Sequence, residues 1–151
     1  MGDHRQPEMP AITVLQLFTY AQAMRRVPYL RSVVRSQRQH WLDLQQAHIQ
    51  LRRLDSRPGR LDRHGIIYRQ DLVRQAEAAG EWLQETLDEL FDLGIYSIDP
   101  ACGIVMMPFA AGNDLAWFVF DLFSPRGIDA WRFDTDPIEV RRPLHQPKSA
   151  G

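Results

Sequence analysis

From Tyr20 the apolar positions advance in steps of three and four through Tyr20, Ala23, Val27, Leu30, Val34, Trp41, Leu44 and Leu51, with Gln37 and His48 as polar members of the series. Such spacing draws a heptad seam along one face of a long helix. Thr19 followed three residues later by Gln22 matches a capping box, and Phe18 is placed as half of a hydrophobic staple, so the helix is predicted to begin there. Pro28 removes one backbone hydrogen bond and is expected to kink the helix without ending it. Running to about Leu54, this helix would be ~50 Å long and needs a partner along its length. Arg57-Pro58-Gly59 breaks the series, and a loop is predicted through His64-Gly65. A second helix, from Gln70 or Asp71, carries Leu72, Ala76, Ala79, Leu83, Thr86, Leu90 and Leu93 on the same repeat, and Gly94 falls where a left-handed C-cap would end it. Two compatible seams joined by a modest loop predict an antiparallel helical hairpin.

After Gly94 the periodicity shortens. Apolar runs at Ile95–Ile98, Ile104–Met107, Leu115–Phe123 and Ile128–Phe133 are separated by turn residues: Asp99 to Gly103, Pro108 to Asp114, and Ser124 to Gly127. This spacing predicts an antiparallel meander. Both faces of Leu115–Phe123 are apolar, which marks a central strand covered on both sides. The predicted fold is α+β, a long antiparallel helical hairpin packed on a small antiparallel β-meander. A short edge strand over Ile12–Phe18 is a further possibility, because that stretch alternates weakly and contains Thr13 and Val14. Residues 1–10 and 145–151, polar and rich in Pro, Gly and Ser, read as flexible ends, leaving 11–144 as one domain.

Composition narrows the function classes. The chain has 151 residues, is 44% apolar and 25% charged, and carries a net charge of −1. A core of ordinary size is within reach, and no overall field draws the protein to nucleic acid or an anionic membrane. Cys102 is the only cysteine, so an intramolecular disulfide and a cysteine-rich zinc cage are both excluded. Met1-Gly2-Asp3-His4-Arg5 lacks the cationic lead of a signal peptide, and no run approaches ~18 apolar residues, so a cytoplasmic protein is expected.

Charge is segregated along the sequence. Residues 20–75 hold 12 of the 17 arginines against four acids, whereas residues 76–100 hold seven acids and no base. Arg31, Arg38 and Arg52 share one heptad position, with Arg26 and Arg35 nearby; Glu77, Glu81, Glu85, Asp88 and Asp92 share one face of the second helix. An arginine surface of this kind suits phosphate or RNA. The competing reading weighs more: the two helices, or two copies of the hairpin, satisfy each other, because an adjoining acidic face would repel the same phosphates. Arg57, Arg60, Arg63, His64 and Arg69 are the best local anion candidates, although the stretch fits no phosphate-loop or dinucleotide motif. His40 and His48 lie eight apart on one helix, too far to ligate a single metal from one turn. Aromatics crowd the strands at Phe109, Trp117, Phe118, Phe120, Phe123, Trp131 and Phe133, where core packing explains them better than base stacking. Arg132 alternates with Trp131 and Phe133; if its face is inward it needs a carboxylate, with Asp121 or Asp129 as the expected partner. Arg141 and Arg142 are placed to clamp an anion or to bind the acidic face of the second helix.

Phe18-Thr19 opening a helix that contains Pro28, Leu93-Gly94-Ile95, Asp99 to Gly103-Ile104-Val105, Pro108, Trp131 and Arg141-Arg142-Pro143-Leu144 together resemble the DUF2203 family of prokaryotic proteins, over Phe18 to Leu144. That family is one of unknown function, so the resemblance implies a shared fold and a prokaryotic cytosolic origin and no reaction. The chain departs from the family's pattern where an aspartate, a Cys-Trp pair, a glutamate and a Trp-His pair stand; Met106, Phe120-Asp121, Pro125 and Trp131-Arg132 occupy those places. The expected function is a non-enzymatic module that self-associates as a dimer through its hairpin, with Trp41, Leu44, His48 and Leu51 at the interface, and that binds a protein partner. No cofactor or metal is expected, nor nucleic acid or membrane as partner. The alternative is a small-molecule or metal-assisted enzyme with Arg132, Asp121 and His48 between sheet and hairpin, which leaves catalysis open.

Overall fold

A computed structural model describes residues 15–144. The expected flexible ends, 1–10 and 145–151, and residues 12–14 of the expected edge strand lie outside them. Helix α1 spans Tyr20–Asp55 and α2 spans Arg63–Asp92; strands follow at Tyr96–Asp99 (β1), Ile104–Ala111 (β2), Asp114–Asp121 (β3), Ile128–Phe133 (β4) and Arg142–Pro143 (β5). The helices pack along each other as a hairpin, and the strands form one antiparallel sheet in sequence order. This is the α+β architecture the periodicities predict.

Local chemistry sets the helix limits. At the start of α1 the Gln22 backbone N–H donates to the Thr19 hydroxyl and the Thr19 N–H to Gln22 Oε1, which closes the capping box. The helix runs unbroken through Pro28, whose side chain is exposed, so water can reach the carbonyl that the missing N–H leaves free. The start of α2 departs from expectation, coming at Arg63 and not at Gln70 or Asp71. Asp62 is the cap, its Oδ1 accepting from the Gly65 N–H at 2.7 Å, so Gly65 sits in the first turn and does not break the helix. Arg63, His64 and Arg69 are therefore helical, and only Arg57 and Arg60 of the expected basic loop lie in the connection.

The sheet lies against one end of the hairpin, the base. The main core joins Phe18, Ala23, Val27, Leu30 and Val34 to Leu90 and Ile95, and both groups to Val105, Met107, Phe118, Phe120, Leu122 and Ile128. Every α1 member of that cluster precedes Gln37, and its only α2 member is Leu90. Beyond it the buried side chains of the hairpin are Gln37, Ala47 and Leu54 on α1 and Leu72, Ala79, Leu83 and Thr86 on α2, where the two helices pack on each other. Roughly half of a helix pair about 50 Å long thus extends past the sheet.

In the sheet, register places Val105 opposite Phe120, Met107 opposite Phe118 and Phe118 opposite Trp131 on the face toward the helices. Phe109 stacks on Phe118 with ring centroids 4.0 Å apart. On the other face Tyr96 of β1 and Trp117 of β3 meet edge to face at 5.4 Å, reaching across β2, and Met106 and Val119 are buried there. Both faces of β3 are therefore apolar and covered, as its composition predicts. Strand β2 runs past its expected end at Met107 and includes Pro108. Strand β1 ends at the Tyr96–Met106 pair, and the Pro108 carbonyl instead accepts from the Phe18 backbone N–H at 2.7 Å. Along Leu15–Phe18 that single bond replaces the expected strand. Strand β5, which the apolar runs do not announce, pairs Ala130 with Pro143 and Trp131 with Arg142.

Candidate functional site

Two groups of residues carry the chemistry: arginines around the sheet, and the surface of the hairpin beyond it. Arg132 is buried, on the sheet face away from the helices, but its partner is neither Asp121 nor Asp129. Its Nη1 donates to the carbonyls of Phe133 and Asp136 at 3.1 Å and of Asp134 at 3.5 Å. Asp121 instead accepts from the Phe123 N–H, and Asp129 from the Ser124 hydroxyl. Arg132 stands opposite Trp117, four residues along β3 from Asp121, which separates their backbones by ~13 Å. His48 is exposed on the part of α1 beyond the sheet. The three residues of the enzyme reading therefore do not converge. Among the described residues no three His, Cys, Asp or Glu side chains group to hold a metal ion.

Arg142 does not reach α2 either. Its Nε and Nη2 clamp Asp136 at 2.8 and 2.9 Å, and its guanidinium lies over the rings of Phe133 and Trp131, 4.8 and 5.6 Å from their centroids. Asp136 also accepts from the Phe133 N–H at 2.9 Å. These contacts tie β5 to β4 and occupy the Nε–Nη2 edge with which Arg142 would grip an anion. Arg141 is spent locally, Nη1 donating to the carbonyls of Ile138 and Val140. The Arg142 guanidinium, bonded to Asp136, holds that carboxyl from its ordinary 3.8 down to about 2. Because the folded value lies below the unfolded one, the contribution of this pair is complete above about pH 4 and is lost as pH falls toward 2. Carboxyl NMR titration is expected to find Asp136 ionised below pH 3 in the native protein and shifted back up toward its ordinary value in Arg142→Met.

Two arginines of the basic α1 face are also structural. Arg38 Nε donates to the Ala101 carbonyl at 2.9 Å and covers the Phe123 ring, while Arg31 donates to the carbonyls of Ser124 and Pro125. Cys102 is exposed in the β1–β2 turn, where its bond to Asp99 pushes the thiol pKa up, away from the reactive thiolate.

The hairpin surface is different, because much of its charge is unspent. Glu77, Glu81, Glu85, Asp88 and Asp92 are all exposed, and none forms an ion pair among the described residues. The ion pairs on the hairpin among the described residues are Arg69–Asp55 and Arg74–Asp71. Across the base the helices are joined by a Tyr29 hydroxyl donating to Glu89, a bond which, behind desolvation, helps push the Tyr29 pKa up to about 12. At the tip Arg52, Arg53, Arg57, Arg60, Arg63 and His64 are all exposed. The tip is therefore basic and the half of α2 nearer the sheet acidic, with no ion pair between the two among the described residues.

Apolar side chains are also left uncovered. Ile66, Ile67 and Tyr68 at the start of α2 are nearly half exposed, and Trp82 is 55% exposed. The interface residues expected from the seam behave unevenly: Trp41, Leu44 and Leu51 are half-buried, and His48 faces solvent while Ala47 takes its place in the helix contact. A groove of about 420 Å³, which the seam does not reveal, lies between the helices, with Ala47, Ala78 and Ala79 in its lining and His40, Asp43 and Trp82 around it. The His40 ring lies flat on the Trp82 indole, centroids 5.1 Å apart and planes 7° apart. Arg38 points to the sheet's turns, and His40, Asp43 and Ala47 lie ~140–180° around α1 from it, so the groove opens on the side remote from the sheet. No helix among the described residues is long and apolar enough to cross a membrane. No family model, curated protein or solved structure matches the chain.

Proposed function

We propose that this chain is a self-associating protein-interaction module of the DUF2203 type, whose working surface is the helical hairpin beyond the sheet. The observation that carries the reading is the mismatch between hairpin and sheet. The sheet buries only the base, and the remainder presents Ile66, Ile67, Tyr68 and Trp82 to solvent beside exposed charged side chains. A two-helix layer is hydrophobic along its seam and gains stability when a further layer covers it. Ile66, Ile67 and Tyr68 at one end of α2, and Trp82 about four turns farther on, leave large apolar side chains among charged ones, and apolar surface rimmed by polar residues marks protein contacts. The charge pattern adds selectivity, since a surface holding both signs disfavours a uniform polyanion and favours a partner with the complementary arrangement.

Sedimentation equilibrium on the purified chain is the direct test. A concentration-dependent dimer is expected, weakened by salt because opposite exposed charges meet across it. A monomer at every concentration and at low salt would remove self-association from the reading.

A further inference from the structure

We infer that the second copy docks antiparallel along α2, over the groove beside Trp82, so that the basic tip of each hairpin lies on the acidic half of the other. This rests on the self-association proposed above and specifies its surface and direction. Ile67, Asp71, Gln75, Ala78 and Trp82 follow one another at three or four residues and form a stripe along α2. Gln75, Ala78 and Trp82 line the groove, the Asp71 side chain is 50% exposed and Ile67 is 47% exposed. With a twofold axis near Gln75, Ile67 and Trp82 lie about two turns to either side and face each other in the two copies. Each exposed apolar side chain then covers the other's. The alanines lining the groove let the helices approach closely enough for the indole to settle between them.

Charge decides the direction. Arg63 and His64 lie about three turns before Gln75, and Glu85 and Asp88 about three turns after it. Antiparallel docking sets the first pair over the partner's second pair, with Arg57 and Arg60 toward Glu89 and Asp92. Parallel docking would bring the basic tips together, and like charges in contact oppose association. The face is large enough, about 45 Å by 20 Å or on the order of 900 Å², against about 800 Å² per partner in a specific dimer. It also lies on the side remote from the sheet, so neither sheet obstructs the approach.

The test uses the full chain with Cys102→Ser as background and one new cysteine at a time. Gln75→Cys is expected to form a symmetric disulfide dimer under mild oxidation, and His64→Cys is not. A dimer in which His64→Cys cross-links, in which both do or in which neither does, would overturn the antiparallel arrangement and leave self-association standing. A monomer in sedimentation would overturn both. Trp82→Ala, checked for unchanged helicity, is expected to weaken dimerisation at least about tenfold. Wild-type affinity in that variant would exclude the groove as the contact.

Discussion

Replacing Phe120 by alanine is expected to destabilise the protein by about 3–5 kcal/mol, the range for removing a buried ring from a packed core. Phe120 is fully buried at the middle of the sheet, paired with Val105 on one side and Ile128 on the other, and faces the base of the hairpin. The cavity it leaves opens between sheet and helices, where Val27, Leu30 and Leu90 are held by their own contacts and cannot collapse freely into it. Phe120→Leu, which keeps most of the volume, is expected to cost less than about 1.5 kcal/mol. Phe123→Ala on the same chain segment removes a 65% exposed ring and its contact with Arg38, and is expected to cost less than about 1 kcal/mol. Urea denaturation of the three variants gives the comparison. A Phe120→Ala loss no larger than that of Phe123→Ala would place the core elsewhere.

The second large effect is expected at Gly127, where the chain turns from β3 into β4. Its φ is +81°, a region L residues adopt at a cost of about 1–2 kcal/mol, and a Cβ there would meet Val27 Cγ1 at 2.7 Å. The clash forces Val27 and α1 away from the sheet, adding about 1–3 kcal/mol of overpacking. Gly127→Ala should therefore cost about 2–5 kcal/mol in total. Gly112, in the β2–β3 turn, has φ +65° but open space where a Cβ would stand. Gly112→Ala is expected to show the backbone part alone, about 1–2 kcal/mol. Thermal or urea unfolding of both separates conformational cost from crowding, and equal losses would mean that the turn does not press on α1.

The base of the molecule was legible in the sequence because there local pattern and tertiary environment agree. The capping box at Thr19, the steps through Val27, Leu30 and Val34, and the short runs after Gly94 each find the burial they predict. The seam goes astray past Gln37 for a physical reason. At the base α1 is covered by both sheet and α2, but farther out only α2 remains, so residues toward the missing sheet, such as His48, face solvent and Ala47 is buried instead. A straight helix also drifts about 20° per heptad from a strict seven-residue repeat. Gly65 misleads in another way: glycine reads as a breaker, yet in a first turn capped by Asp62 it costs little. The partners of Arg132 leave no trace at all, because they are backbone carbonyls, which every residue possesses. The groove at Trp82 depends on two helices meeting at a particular rotation, which neither helix specifies alone.

The margins of the sheet bear on how copies of this chain can meet. On one side β1 is four residues long and irregular between Ser97 and Asp99, and past its end Pro108 offers no N–H while its carbonyl is already taken by Phe18. On the other side the rim is two residues, one of them Pro143. Neither rim can template a foreign ribbon by backbone hydrogen bonding. Open-ended stacking of sheets into fibres is thereby discouraged, and the proposed pairing of copies falls to the rods.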